Sequence, residues 1–502
     1  MIEQFLTELQ KSLSLFKPES ALVITFLMTL AGDLIFRKSE KLTANITLIG
    51  LAVTGFFLFS ECNDGSTTIF SGMLAVDSFA KFFKIIILLS SIIVVIMSLF
   101  SKELFDGKRT MGEYYMLITS ATFGMFLLSS ATNMIMIYLS IEIMSISSYI
   151  LAGYTKEINR ASEASLKYVI FGAVSSGLMI YGISLLFGMT GSLNLLEINQ
   201  VLATGDLNIL TLTFSMILIM AGIGYKISAV PFHFWTPDVY EGAPVTITAY
   251  LSVASKAAGF AVLIRFIRLG FSNLETAGES ETWTMISNLD WQFIIAVLSV
   301  LTMTVGNLVA LWQTNAKRML AYSSIAHAGY ILMAVAVMND IGTAAVMIYF
   351  FVYMIMNLGA FFSVMLISNE IGSDEIEDYT GFGYRSPVLG IAMVVFLISL
   401  TGLPPTAGFI GKYFVFGAVV DSGLIWLAVV GILNSVVSLY YYMKIIRNMF
   451  VRGVELEQED VHFSPGAIMV LVALAIPTLV FGIYFGQIVE WAKSSVQMFV
   501  AN

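Results

Sequence analysis

The chain is 502 residues long, 58% hydrophobic and only 12% charged, whereas soluble domains carry about 25% charged residues. That balance excludes an ordinary soluble fold and points to a helical membrane protein, with apolar runs recurring at the ~20-residue length that spans a bilayer. A formal charge of −9 leaves no basic patch for nucleic acid, and the single cysteine, Cys62, permits neither an internal disulfide nor a thiolate metal site.

The N-terminus, MIEQFLTELQ, is acidic and lacks the basic region and apolar core of a cleavable signal, so the first spans are expected to belong to the mature protein. About fourteen spans follow in chain order. They are predicted at 20–36, 42–60, 76–100, 111–130, 132–151, 162–188, 207–229, 245–268, 289–311, 317–337, 342–368, 386–420, 423–449 and 466–490. The fold class is therefore an all-α polytopic membrane protein, a single membrane domain over 1–502 without a soluble domain. The longest polar stretches, 269–288, 369–386 and 451–464, are loop-sized.

Loop charge predicts orientation. Loops after odd-numbered spans hold fourteen Lys and Arg residues; the opposite side holds seven, namely Lys11, Lys17, Lys81, Lys84, Arg265, Arg268 and Lys493. The excess places the odd loops in the cytoplasm and both termini on the outer, periplasmic side.

Two spans are interrupted. Span 7 ends in KISAVPFHFWTPDVYEGAP, punctuated by Pro231, Pro237 and Pro244 and carrying His233. Span 12 is too long for one straight crossing, and its middle reads LTGLPPTAGFIGK, where Pro404 and Pro405 remove two donors and Gly402, Gly408 and Gly411 loosen the backbone. Such breaks survive in a membrane only inside protein or beside a wet cavity. Spans 4–8 (111–268) and 9–13 (289–449) form two five-span sets of opposite starting direction, with the break fourth in each. Matching breaks point to an ion site between inverted repeats. Spans 1–3 (1–110) precede the sets and span 14 (466–490) follows them.

Charges inside the apolar runs carry the functional signal. Lys167, Lys226, Lys256 and Lys412 lie there, with Glu142 in span 5. At roughly 2.5–3.5 kcal/mol per central charge, four lysines would cost on the order of 10 kcal/mol. Lys226 precedes one break and Lys412 follows the other; Lys256 sits among small residues that allow close helix packing. The structural alternatives are an ion pair for Glu142, snorkelling for Lys167 and simple helix bracing for the rest. His327, mid-span near serines and Tyr330, can pass protons between waters because an imidazole titrates near physiological pH. His233 has a packing alternative, and His462 lies in an acidic loop. The glycines of GFGYRSP lack a strand–helix context, which argues against a nucleotide site. No HxxxH pairing or carboxylate cluster suggests a metal, and nothing on the chain can carry electrons.

Desolvation disfavours a charged ammonium, so a buried lysine can release and recapture a proton. Lysines linked by water and His327 would form a proton path at the midplane, and Glu142 paired with Lys167 would gate it. Moving one charge against 100 mV costs about 2.3 kcal/mol, which a partner must supply.

Three segments, VPFHFWTPDVYEGAPVTITAYLSVASKAAGF (230–260), GNLVALWQTNAKRMLAYSSIAHAGY (306–330) and LTGLPPTAGFIGKY (400–413), resemble the subunit-N family of bacterial respiratory complex I, the NADH-quinone oxidoreductase, over essentially the whole chain. The resemblance implies fourteen helices, discontinuous helices 7 and 12, and inverted repeats over helices 4–8 and 9–13. It also implies a functional glutamate matching Glu142 and lysines matching Lys167, Lys226, Lys256 and Lys412. HFWTPDVYEGAP and Lys412 favour subunit N over its sister subunit M, which is expected to carry a glutamate at the helix-12 position. The expected role is proton translocation in the bacterial inner membrane, in the lipid bilayer beside other antiporter-like and peripheral subunits. NADH, FMN, iron–sulfur clusters and quinone would lie on those partners, with no cofactor on this chain. Competing readings are a subunit of a multisubunit sodium/proton antiporter and an assembly scaffold.

Overall fold

The computed structural model describes residues 2–36, 40–60, 66–105, 111–205, 207–273, 283, 285–286, 290–452 and 460–498. Cys62, the basic residues Arg37, Lys38, Lys108 and Arg109, and parts of the loops 269–288 and 451–464 lie outside the described residues.

An amphipathic helix not expected from the sequence, α1 (Ile2–Leu15), precedes the first crossings, α2 (Lys17–Ile35) and α3 (Glu40–Ser60). A small antiparallel hairpin, β1 (Thr67–Ile69) with β2 (Leu74–Val76), then leads into α4 (Ser78–Ser98). Asp77 caps α4 by accepting from Ala80 N at 2.8 Å. A short α5 (Lys102–Phe105) follows, then α6 (Met111–Ser130), α7 (Met134–Ala152) and the 32-residue α8 (Asn159–Thr190). The connection to the next crossing carries another unexpected helix, α9 (Leu195–Thr204).

The first break separates α10 (Ile209–Ile227) from α11 (Trp235–Gly242). The eighth crossing begins as α12 (Val245–Tyr250), passes through a π-helical turn at Leu251–Ser255 and continues as α13 (Lys256–Phe271). Then come α14 (Trp291–Ala310), α15 (Ala316–Val335) and α16 (Asp340–Ile371), with a one-turn helix at Ile376–Tyr379 and α17 (Phe382–Arg385) beyond them. The second break divides α18 (Pro387–Thr401) from α19 (Ala407–Asp421). The chain ends with α20 (Ile425–Phe450), α21 (Pro465–Ile483) and α22 (Gly486–Ser494).

Side-chain caps fix many of the starts: Asn133, Asn194, Asn208, Asp290, Asn315, Asn339 and Ser464 each accept from a backbone N–H of the following turn. Among the described residues, eleven helices are long and apolar enough to cross a membrane. The expected count of about fourteen is completed by α6, α15 and the α18–α19 pair. The first two are less apolar because α6 is rich in Ser, Thr, Tyr and Gly and α15 carries Lys317, Arg318 and His327, and both pack against protein.

The predicted continuous span 466–490 is corrected. Pro477 does not stop α21, but the helix ends at Ile483, where the apolar run gives way to the amphipathic GQIVEWAKS of α22. Lys84 and Arg265, expected in outer loops, are instead buried in ion pairs within the bundle. Lys84 lies 2.6 Å from Glu19, and Arg265 Nη1 lies 2.7 Å from Asp77. Lys317, counted on the other side, is buried as well, so the loop-charge bias keeps its direction.

Two crossings form the core of the bundle. All of residues 245–271 but the half-buried Arg268 are buried, as is most of α16. Around α16 pack α4, α12, α15, α18, α19 and α21. The α14–α15 contact is glycine-mediated on both sides: a Cβ at Gly306 would strike the Ala326 backbone, and one at Gly329 the Met303 backbone. That close approach holds α15, and with it His327, inside the bundle.

Candidate functional site: buried cations along the interrupted helices

Lys226 is the penultimate residue of α10, at the helix end where backbone carbonyls point toward the break. Its Nζ makes no hydrogen bond to described residues and lies 5.2–5.5 Å from the ring centroids of Tyr149, Tyr168 and Tyr225. An ammonium enclosed by three rings is held by their negative faces without a fixed anion. Glu142, on α7, accepts a hydrogen bond from Ser176 of α8 and lies within electrostatic range of Lys226. The break is tied down by its own polar groups. Trp235 Nε1 donates to the Tyr225 carbonyl at 3.0 Å, Thr236 Oγ1 to Ser228 at 2.8 Å, and Val230 N to Thr302 at 3.0 Å.

Lys256 follows directly on the π-turn, a local distortion often found at functional positions. Its Nζ donates to the Ser324 carbonyl at 2.7 Å and to Ser324 Oγ at 2.9 Å. Asn357 of α16 supports the turn by donating to Ser252 Oγ at 2.6 Å. One turn beyond Ser324, His327 bonds through Nδ1 to Tyr349 OH at 2.7 Å and through Nε2 to Tyr442 OH at 3.2 Å. Tyr442 OH also bonds Ser323. Lys256 and Lys412 both act electrostatically on His327.

Lys412 completes the row. Its Nζ donates to the Thr401 carbonyl at 2.6 Å and to Ser435 Oγ at 2.7 Å, and it sits 4.7 Å from the Tyr330 ring centroid. Thr401 is the last residue of α18, so this lysine is bound at the carbonyl end of an interrupted helix, whereas Lys226 only lies near the end of its own. Gly402 closes α18 with φ +89°, and Gly408 N donates to Ser399 Oγ at 3.0 Å across the break. Both breaks contain a cis X–Pro bond, Val230–Pro231 and Pro404–Pro405.

The expected Glu142–Lys167 pair is not formed. Glu142 meets α8 at Ser176, nine residues beyond Lys167, about 14 Å along the helix axis. Lys167 instead binds Asp238 at 2.6 Å and Glu163 at 2.8 Å near the loop face, with its side chain 38% exposed. Asp238 also accepts from Arg318 at 2.7 Å, and Arg318 reaches Glu241 at 2.7 Å. This network joins α8, α11 and α15. Asp238, Glu241 and Arg318 stood in the quoted motifs, but as isolated charges in a polar loop they carried no signal of their meeting. Two other site features also escaped the sequence: the tyrosine cage, because its rings come from α7, α8 and α10, and the π-turn. His233 is buried with its ring against Phe234, 4.5 Å between centroids, and its Nδ1 makes no hydrogen bond to described residues. Among the described residues no cluster of His, Cys, Asp and Glu could hold a metal ion.

These contacts lead to a definite expectation. Lys167→Met and Asp238→Asn should be non-additive in thermal stability of the detergent-solubilised protein, with a coupling of about 0.5–1 kcal/mol for so exposed a pair. Lys167→Met and Glu142→Gln should simply add. Coupling in the second cycle and none in the first would contradict the observed pairing.

An all-α bundle with two interrupted helices and a row of lysines buried between them is the architecture of antiporter-like membrane subunits. The family model "NADH:quinone oxidoreductase/Mrp antiporter, TM" matches residues 131–438, and the chain belongs to that family. The chain is 48% identical to NADH-quinone oxidoreductase subunit N 2 of Chloroherpeton thalassium, covering 99% of this chain and 97% of the relative. It is 44% identical to subunit N of Chlorobium chlorochromatii over the same shares. A chain of respiratory complex I from Thermus thermophilus superimposes with a TM-score of 0.76 at 29% identity, covering 94% of this chain and 98% of that one. The Mrp complex from Dietzia shares the fold, with a TM-score of 0.76 at 18% identity, 96% of this chain and 97% of that one being covered.

Proposed function

We propose that the chain is the subunit-N-type, proton-translocating membrane subunit of an NADH:quinone oxidoreductase of the bacterial inner membrane. The observation that carries this reading is the polar row from Lys226 through Lys256, Ser324 and His327 to Lys412 inside the bundle. In this reading Lys226 holds a proton within its tyrosine cage, with Glu142 as the nearby anion that favours the charged state. Lys256 receives it, and Ser324 and His327 with Tyr349 and Tyr442 relay it. Lys412 releases it beside the second break. Lys167 serves at the loop face with Asp238. The prolines Pro231, Pro404 and Pro405 and Gly408 keep the breaks open to both lysines, and His233 packs the first break. Residues 111–268 and 289–449 act as the two inverted units of this path. Flavin, iron–sulfur clusters and quinone belong to partner subunits, whose redox reaction supplies the energy.

The test is purification of the tagged chain from native membranes in mild detergent, followed by reconstitution. Flavin- and iron–sulfur-bearing subunits should co-purify, and NADH oxidation by quinone should drive proton uptake. Co-purification with membrane subunits alone, together with sodium/proton exchange without NADH, would establish the antiporter reading instead.

The proposed orientation is tested by cysteine labelling in a Cys62→Ser background. An impermeant thiol reagent added to intact cells should label Ser494→Cys and spare Glu103→Cys; the reverse pattern inverts the topology.

A further inference from the structure

The cleft beside α20 at the loop-side end of the bundle differs in charge from the clefts around Glu241, which are lined by both acids and bases. At the Asp238–Arg318 network every cation faces a carboxylate. In the cleft beside α20, a space of about 570 Å³, the charged lining residues among those described are Lys444 and Arg447, both positive. Lys444 Nζ donates to a neutral group, the Gln313 carbonyl, at 2.8 Å. The rest of the lining is largely apolar and includes Leu311, Val436, Tyr440 and Met443. Val436 and Tyr440 are 64% and 66% exposed. Trp312, 83% exposed beside Gln313, marks the depth of the membrane–water interface, where amphipathic rings settle.

We propose that this cleft binds an anionic phospholipid, its phosphate on Lys444 and Arg447 and one acyl chain along α20 toward Val436. The dimensions fit one leaflet: from Arg447 to Val436 is eleven residues, about 16 Å, roughly half of a ~30 Å hydrocarbon core. The polarity runs in the sense a lipid requires, with cations at interfacial depth and an apolar floor below them. A neighbouring helix would find no polar or small-residue ridge along this floor, and a soluble anion would leave it uncovered. Two basic residues near the surface are expected to favour an anionic over a zwitterionic head group by roughly thirty-fold.

The test uses the intact complex, delipidated and exchanged into nanodiscs that contain phosphatidylglycerol and phosphatidylcholine. The wild type should retain phosphatidylglycerol preferentially, about one molecule more per chain than a Lys444→Gln/Arg447→Gln variant. Val436→Trp, which keeps both charges and fills the floor, should lose the same molecule. A photoreactive residue at Tyr440 of the otherwise wild-type chain should crosslink to lipid, so the idea remains testable even where a variant fails to assemble. Equal retention of the two lipids, unchanged retention in both variants, or crosslinking to a neighbouring subunit would each overturn the proposal.

Discussion

Lys256→Ala is expected to leave the complex assembled while lowering coupled proton pumping roughly tenfold or more, on the scale of losing a positioned proton-transfer group. The truncation removes an amine buried at 1% exposure, and with it a desolvation cost, so the fold is not asked to hold a new uncompensated charge. Ser324, its partner, keeps a hydrogen bond of its own, donating from Oγ to the Ala321 carbonyl at 2.9 Å. Lys256→Arg should fail as well, because a guanidinium keeps its proton and cannot relay it. Proton uptake by reconstituted vesicles, measured against NADH oxidation, separates pumping from electron transfer. Wild-type pumping by the assembled alanine variant would remove Lys256 from the path.

Arg265→Leu is expected to have the opposite signature: loss of the folded chain rather than loss of pumping by an assembled one. Arg265 and Asp77 are both fully buried and bind in two-pronged fashion, at 2.7 and 2.9 Å. Arg265 Nε also holds the Ser129 carbonyl at 3.2 Å, and its guanidinium lies 5.2 Å from the Phe79 ring centroid. Removing one partner of such a pair costs about 3–5 kcal/mol, because the remaining charge has no water to turn to. An ordinary domain has about 5–15 kcal/mol in total. Adding Asp77→Asn should recover much of the loss, since asparagine keeps the cap on α4 without the charge. Thermal stability of the solubilised complex reads the effect; a double variant no more stable than Arg265→Leu would show that the ion pair is not the cause.

The crossings and both breaks were legible in the sequence because lipid imposes harsh local rules: length, apolar content and satisfaction of every backbone group. Lys226, Lys256 and Lys412 stood out for the same reason. What surrounds them did not. The expected Glu142–Lys167 pair came from comparing depth on consecutive helices, and depth fixes neither the true helix ends nor the face a side chain occupies. The actual start of α8 at Asn159 and the Glu142–Ser176 contact place Lys167 nearer the loop face. Lys84 and Arg265 were misread because a charge close to the end of an apolar run looks the same whether it reaches water or a buried carboxylate from a distant part of the chain. The tyrosine cage and the π-turn depend on packing between elements distant in sequence, which no local pattern encodes.

One consequence of α16 concerns timing. Tyr349, which bonds His327, and Asn357, which bonds the π-turn ahead of Lys256, stand eight residues apart on this one buried helix, about 12 Å along its axis. Tyr353 lies between them with its ring 5.1 Å from that of His327. A small rotation or slide of α16 therefore acts on the imidazole and on the Lys256 turn in the same instant. On the proposed path the helix would work as a shared crank, and a partner that gripped either of its ends would set the order in which His327 and Lys256 pass their protons.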